Sequence, residues 1–157
     1  MTIHYLQGDA TSPQVEGKVI IAHVCNDLGK WGRGFVLAIS RKWKQPELQY
    51  KSLFLGSDKP QLGHVQFVEA GDDIVVANII GQHGIRSPRN TTAPAPIRYD
   101  AVREGLEKIG ELAIRQVRSV HMPRIGCGLA GGTWDKIEPL IEQTLVSVGV
   151  DVYVYDF

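Results

Sequence analysis

Two glycine clusters hold the residues best suited to chemistry on an anion. Gly126-Cys127-Gly128-Leu129-Ala130-Gly131 stands between a segment that reads as a strand and one that reads as a helix. Backbone N–H groups in such a loop can face a phosphate, and the helix N-terminus adds the positive end of its dipole. The missing side chains let the backbone approach a pyrophosphate closely. The cluster has the form G-x-G-x-x-G, with Asp151 twenty residues past Gly131. A dinucleotide dehydrogenase would carry that motif in its first strand–helix unit, with more units after it. Here it opens the last unit, so the phosphate reading stands and the dehydrogenase reading does not. Gly29-Lys30-Trp31-Gly32-Arg33-Gly34 is the second cluster, again directly before a predicted helix. Two such loops on one sheet edge can grip two phosphates, or a phosphate and a sugar.

Polar residues gather near these loops. His23, Asn26 and Asp27 close an apolar run, where a polar group is either satisfied internally or aimed at a ligand. Hydrogen bonding inside the fold is the reading for His23, and ligand contact for Asn26. Asp9 follows a first strand as either an Asx-turn residue or a carboxylate that accepts from a base amino group. Cys127 sits where a helix N-terminus would favour a thiolate, but no His–Asp set accompanies it. His83 and Arg86 lie in a long loop, and His83 is the histidine best placed for acid–base work. Trp31, Phe35 and Trp134 flank the glycine loops, able to stack on a ring or to pack in the core.

The elements that must position these groups alternate. Strands are predicted at 2–6, 18–24, 63–69, 74–80, 118–123 and 151–156. Helices are predicted at 34–43, 47–54, 97–116 and 134–148. Val102, Leu106, Ile109, Leu112 and Ala113 repeat at helical spacing, although Gly105 and Gly110 each weaken that helix by about 1 kcal/mol relative to Ala. Thr133 is positioned to cap the last helix, and Pro139 should bend it or shift its start. The Gly71-Asp72-Asp73 turn makes a hairpin of 63–80, and 81–96 reads as a long, functional loop. The fold class is therefore α/β: a three-layer α/β/α sandwich around a mixed, largely parallel sheet.

Composition narrows the function. The 157 residues fit one domain. Seventeen Lys and Arg balance seventeen Asp and Glu, which argues against affinity for nucleic acid through bulk positive charge. No stretch approaches the length of a membrane span, and none reads as a signal peptide. Cys25 and Cys127 read as reduced thiols of a cytoplasmic protein, and no spacing suggests a metal site.

Gly8-Asp9-Ala10-Thr11, His23-Val24-Cys25-Asn26, Gly32-Arg33-Gly34-Phe35, Asn78-Ile79-Ile80-Gly81-Gln82 and Met122-Pro123-Arg124-Ile125-Gly126-Cys127-Gly128-Leu129 together resemble a macrodomain. The likeness covers about residues 3–156. It is nearest the subgroup of terminal ADP-ribose glycohydrolases and ADP-ribose 1″-phosphate phosphatases. The resemblance implies ADP-ribose and ADP-ribosylated proteins as partners, with no cofactor and no metal. It gives Asp9 and Ala10 to the adenine end and Asn26 to the distal ribose. Gly32, Arg33, Gly34, Phe35, Gln82, Ile125, Gly126, Cys127, Gly128, Leu129 and Ala130 would surround the pyrophosphate and distal ribose. The implied activity is hydrolysis of ADP-ribosyl linkages, foremost mono-ADP-ribose on acidic side chains. Phosphatase action on ADP-ribose 1″-phosphate and non-catalytic ADP-ribose reading are the alternatives. The chain departs from the subgroup at Gln82 and Ala130, where those glycohydrolases carry a Lys and an Asp. Gln forms no Schiff base and Ala is no base, so Asn26, His83 and His23 are left as catalytic candidates.

Overall fold

The apolar run near residue 20 becomes the inner strand of the protein, β2 (Val19–Asn26), buried at seven of its eight positions. The computed structural model describes residues 2–85 and 94–157. β2 lies between β4 (Ile74–Gln82) and β5 (Ser119–Met122). The full order is β1-β6-β5-β2-β4-β3, with β1 at Ile3–Gln7, β3 at Val65–Gly71 and β6 at Val152–Asp156. Every pairing is parallel except the β3/β4 hairpin, as the sequence pattern requires.

Side-chain alternation on β2 divides the core. Ile20 and Ala22 pack with Leu106 and Ile109 of α3 (Tyr99–Gln116) and with Ile137 and Ile141 of α4 (Trp134–Thr144). Val19, Ile21 and Cys25 pack with Val36 and Ile39 of α1 (Phe35–Lys42) and Tyr50 of α2 (Gln45–Ser52). Each fully buried aliphatic side chain contributes about 1.5–3 kcal/mol. Gly105 has a packing reason that its helix propensity hides. A Cβ there would lie 2.6 Å from Ile79 Cγ2, so the glycine lets α3 lie close on β4.

Several boundaries differ from expectation. The last helix ends at Thr144, and a short 3-10 helix (Val146–Val148) follows, leaving Val148 exposed. Pro139 sits inside α4 without moving its start. Thr133 holds the N-cap position but makes no capping bond; its N–H donates instead to Tyr99 Oη at 3.1 Å. β4 continues to Gln82, so the long connection begins later than expected. Arg86, within 86–93, lies outside the described residues. Among the described residues no helix is long and apolar enough to cross a membrane.

Two buried histidines make the fold acid-sensitive. His23 pairs with Asn78 Oδ1 at 2.5 Å. His121 lies between Tyr155 Oη, 2.9 Å away, and Ser119 Oγ, 2.8 Å away, and stacks on Tyr153. Burial drives both pKa values down to about 4. An unfolded histidine titrates at about 6.5, so the unfolded chain binds more protons between these values and stability falls as pH falls. Urea unfolding should show a loss of about 2 kcal/mol per histidine on going from about pH 7.5 to about pH 5. A flat profile across that range would contradict the assignment.

Candidate functional site

The parallel strands end at a cleft of about 420 Å³. Its first wall is the connection from β2 to α1, from Asn26 through Trp31, Gly32, Arg33, Gly34 and Phe35. Its second is the connection after β5, from Pro123 through Ala130. Gln82 and Ile85 close the end beside β4, and His23, Val24 and Cys25 form the floor. Both glycine clusters therefore face one cavity, the position where α/β sheets bind ligands.

The two walls are built differently. On the second, Gly132 N–H donates to Gly126 O at 2.8 Å and pinches the loop shut. A Cβ on Gly132 would stand 2.4 Å from that same oxygen, and one on Gly126 would stand 2.7 Å from Ile97 Cδ1. These glycines shape the loop from inside. Gly32, Gly34 and Gly128 also have positive φ, but a Cβ on any of them meets nothing within 4 Å. These three keep the cavity open. The N–H groups of Gly32, Arg33, Gly34 and Phe35, and those of Gly128 and Leu129, meet no acceptor among the described residues. Gly34 precedes α1, and Gly128 opens a short 3-10 helix (Gly128–Ala130). Such unsatisfied donors are what an anion would use.

Ile125 and Ala130 are buried beneath the second loop, and Leu129 stands exposed on its lip. Cys127 lines the cleft, but burial pushes its thiol up against the smaller opposing pull of Arg124. The structure thus does not favour the thiolate that a helix N-terminus would suggest. Arg124 also lines the cleft and is held rigidly: Asp156 accepts two hydrogen bonds from it, at 2.7 and 3.0 Å. Tyr5 and Trp134 lie within 5.2 and 5.1 Å of its guanidinium carbon. Trp134 is occupied there and is not part of the cleft wall. Trp31 donates its indole N–H to Ser40 Oγ at 2.8 Å and is buried, so of the two aromatics of the first wall Phe35 is the more exposed.

Asn26 is built into the first wall as a clamp. Its Oδ1 accepts from Leu28 N–H at 2.9 Å, Lys30 N–H at 3.3 Å and Tyr50 Oη at 2.8 Å. Its Nδ2 donates to Lys30 O at 2.6 Å, leaving one amide hydrogen for a ligand. His23 is also committed to the fold. Asn78 Nδ2 donates to Pro46 O and Gln66 Oε1, so Asn78 Oδ1 is the acceptor and His23 Nε2 carries the proton. Burial keeps the ring neutral, so the acid–base role expected for His23 meets a side chain already engaged elsewhere.

Asp9 and Ala10 are not part of the cleft wall. Asp9 Oδ1 accepts from Thr11 N–H at 2.8 Å and Thr11 Oγ1 at 2.7 Å, an Asx turn. Its Oδ2 has no partner among the described residues. Gln82 faces the cleft and donates to Gly84 O at 2.9 Å.

Asp27, grouped by sequence with His23 and Asn26, pairs with His83. Asp27 Oδ2 is 2.7 Å from His83 Nδ1, and Asp27 Oδ1 accepts Gly84 N–H at 2.8 Å. Burial raises the Asp27 carboxyl, but the Gly84 N–H and His83 outweigh it and hold the carboxyl below its usual range. An ionised Asp27 accepts a hydrogen bond from Nδ1–H and leaves Nε2 as the base; most of the His83 side chain is exposed, and His83 is not itself a lining residue but follows Gln82, which is. The register supplied a signal for this pair, because Asn26 stands opposite Gln82 and the next residues are Asp27 and His83. Arg124 was likewise visible in the sequence only as part of a motif. Among the described residues no cluster of His, Cys, Asp or Glu could hold a metal ion.

No family model matches the chain. A Bacteroides thetaiotaomicron protein of unknown function is 48% identical over 100% of this chain and 99% of that one, with a TM-score of 0.95. Thermosipho africanus DarTG, solved in complex with ADP-ribose, is 17% identical over 88% of this chain and 38% of that one, with a TM-score of 0.68. That likeness shows the fold alone. Mouse chromodomain-helicase-DNA-binding protein 1-like is 33% identical over 166 residues, but the chain spans 18% of its length. An ADP-ribose 1″-phosphate phosphatase from Lodderomyces elongisporus is 28% identical over 99% of this chain and 100% of that protein. A macrodomain protein from Streptomyces coelicolor is 46% identical over 99% of both chains, with a TM-score of 0.83. On that likeness, carried through the same cleft-forming fold, the chain belongs to the macrodomain family.

Proposed function

We propose that the cleft binds ADP-ribose and that the chain hydrolyses ADP-ribosyl linkages, removing mono-ADP-ribose from acidic side chains of proteins. The observation that carries this reading is the pair of glycine loops that line one cavity from both walls and hold N–H groups with no acceptor among the described residues. The pyrophosphate lies between them. Asp9 offers its unbonded oxygen to the adenine amino group, and Asn26 and Gln82 mark the end that takes the distal ribose.

The chemistry has to run without a lysine adduct, since Gln82 and Ala130 supply neither amine nor carboxylate. A carboxylate leaving group needs little protonation, so the demand falls on water. In the proposed step His83 Nε2 takes a proton from water as its oxygen bonds to the anomeric carbon. The bond from that carbon to the side-chain carboxylate breaks, and its electrons leave with the carboxylate. Asp27 orients the imidazole and balances its charge. His23 takes no part, and the loop N–H groups stabilise the charge held between the walls.

Incubation with a glutamate-ADP-ribosylated peptide should release free ADP-ribose, and no release at all would sink the reading. His83→Gln should lower kcat about a hundredfold with ADP-ribose affinity within twofold of wild type. An unchanged kcat would remove His83 from the scheme. The phosphatase reading has its own support in the full-length similarity to a protein of that name. Phosphate release from ADP-ribose 1″-phosphate, without release of ADP-ribose from the peptide, would decide for it. Binding with neither turnover would leave a reader.

A further inference from the structure

The charge that cancels over the chain is segregated along it. Residues 28–60 hold seven of the 17 Lys and Arg but only two of the 17 Asp and Glu, and the remainder holds ten against fifteen. That segment is the first wall of the cleft together with α1 and α2, the layer covering one face of the sheet. All seven cations are exposed. Lys42 is held by Thr11 O and Ser12 Oγ, and Lys51 by Glu47. Lys30, Arg33, Arg41, Lys44 and Lys59 form no ion pair among the described residues.

A second observation concerns what lies among these charges. Leu37, Leu48 and Leu55 are exposed on the same segment, Leu55 at 85%. Its aromatic residues are withdrawn: Trp31 and Tyr50 are buried, and Phe35, Trp43 and Phe54 are half-buried and packed against the core. Single-stranded nucleic acid uses exposed aromatic platforms, and this face has none. Flexible lysines with aliphatic side chains between them complement a polypeptide that carries carboxylates and apolar residues.

We propose that the α1–α2 face docks the acidic polypeptide segment that bears the modified residue. This rests on the hydrolase reading above and names the substrate side of the same site. Arg33 carries the basic face to the cleft, and Lys30 adjoins Asn26 through its backbone, near where the linkage to the polypeptide would lie. Carboxylate side chains near the modified one are drawn to this face, and the cleft then takes the ADP-ribose. Electrostatic attraction of this kind raises association rates and weakens with salt.

The test uses a fluorescent, unmodified peptide of alternating Glu and Leu, a Gln-for-Glu version, and a single-stranded DNA of equal charge. Anisotropy titrations compare wild type with the triple variant Arg41→Glu, Lys44→Glu, Lys59→Glu, none of which lines the cleft. The acidic peptide should bind wild type, lose at least tenfold affinity in the variant, and weaken severalfold from low to physiological salt. The Gln peptide should not bind. Free ADP-ribose should bind both proteins equally, which also reports that the variant folds. If it misfolds, the Gln triple variant should show a smaller loss in the same direction. Equal peptide binding by wild type and variant overturns the proposal, as does DNA binding tighter than the peptide. Because the peptide carries no ADP-ribose, failure of the hydrolase reading would appear separately, as absent ADP-ribose binding or release.

Discussion

Gly128→Val should abolish ADP-ribose binding and leave the fold standing. Gly128 opens the 3-10 helix of the second wall with φ at +76°. Only glycine adopts that conformation cheaply; a β-branched residue there costs about 1–2 kcal/mol. Nothing of the protein stands within 4 Å of the position a Cβ would take, so the fold has room for a side chain there, and Gly128 lines the cleft. Valine would therefore place its methyl groups where the pyrophosphate must approach the N–H groups. It would also disturb the backbone geometry that aims them. Calorimetry should register at least a hundredfold loss of affinity, while thermal unfolding moves by only a few degrees. Retained micromolar binding would show that this loop does not hold the phosphates. Gly132 gives the contrast. A Cβ there would collide with Gly126 O, a backbone atom that cannot turn aside, so substitution at Gly132 acts on folding before it acts on ligand.

The difference between those two glycines marks what a sequence can reveal. That both loops could meet an anion was legible, because the property lies in the backbone and glycine writes it directly into the chain. The sandwich was legible for a similar reason. The apolar run of β2 and the helical repeat of Val102, Leu106 and Ile109 are local patterns tied to one element each. Roles that depend on register were not. His23 and Asn78 are 55 residues apart, and Asp27 and His83 are 56 apart. Each pair forms because β2 and β4 run parallel in one particular alignment. The end of the last helix was misplaced because Val148 continues its apolar spacing while the backbone has already tightened into a 3-10 turn. The net charge concealed the basic face, since a sum over the chain cannot show how charge is distributed across two helical layers.

Asn26→Ala should lower stability, affinity and turnover together, and that pattern separates two roles for one residue. A side chain that only touched the distal ribose could be cut back with the fold unharmed and turnover reduced. The structure gives Asn26 a larger task. Its carboxamide closes the loop that leads to Gly32 and Gly34, with three donors meeting one oxygen and a fourth bond to Lys30 O. Asn26 is buried, so its removal strands the Leu28 and Lys30 N–H groups, although Tyr50 Oη keeps Asn26 O at 2.7 Å. Both donors belong to exposed residues, so water recovers part of each lost bond, and a total loss of about 1–2 kcal/mol is expected in urea unfolding. The first wall then loses its preorganisation, and binding must order it again at a cost in affinity. ADP-ribose should bind at least tenfold more weakly. Wild-type stability and affinity with a reduced kcat would return Asn26 to a pure ribose contact. Asn26→Asp sharpens the comparison, since it keeps the acceptor for both N–H groups but sets a negative oxygen against Lys30 O and near the bound phosphates. If the clamp is what matters, the aspartate should recover part of the stability that alanine loses while affinity for the anionic ligand stays low.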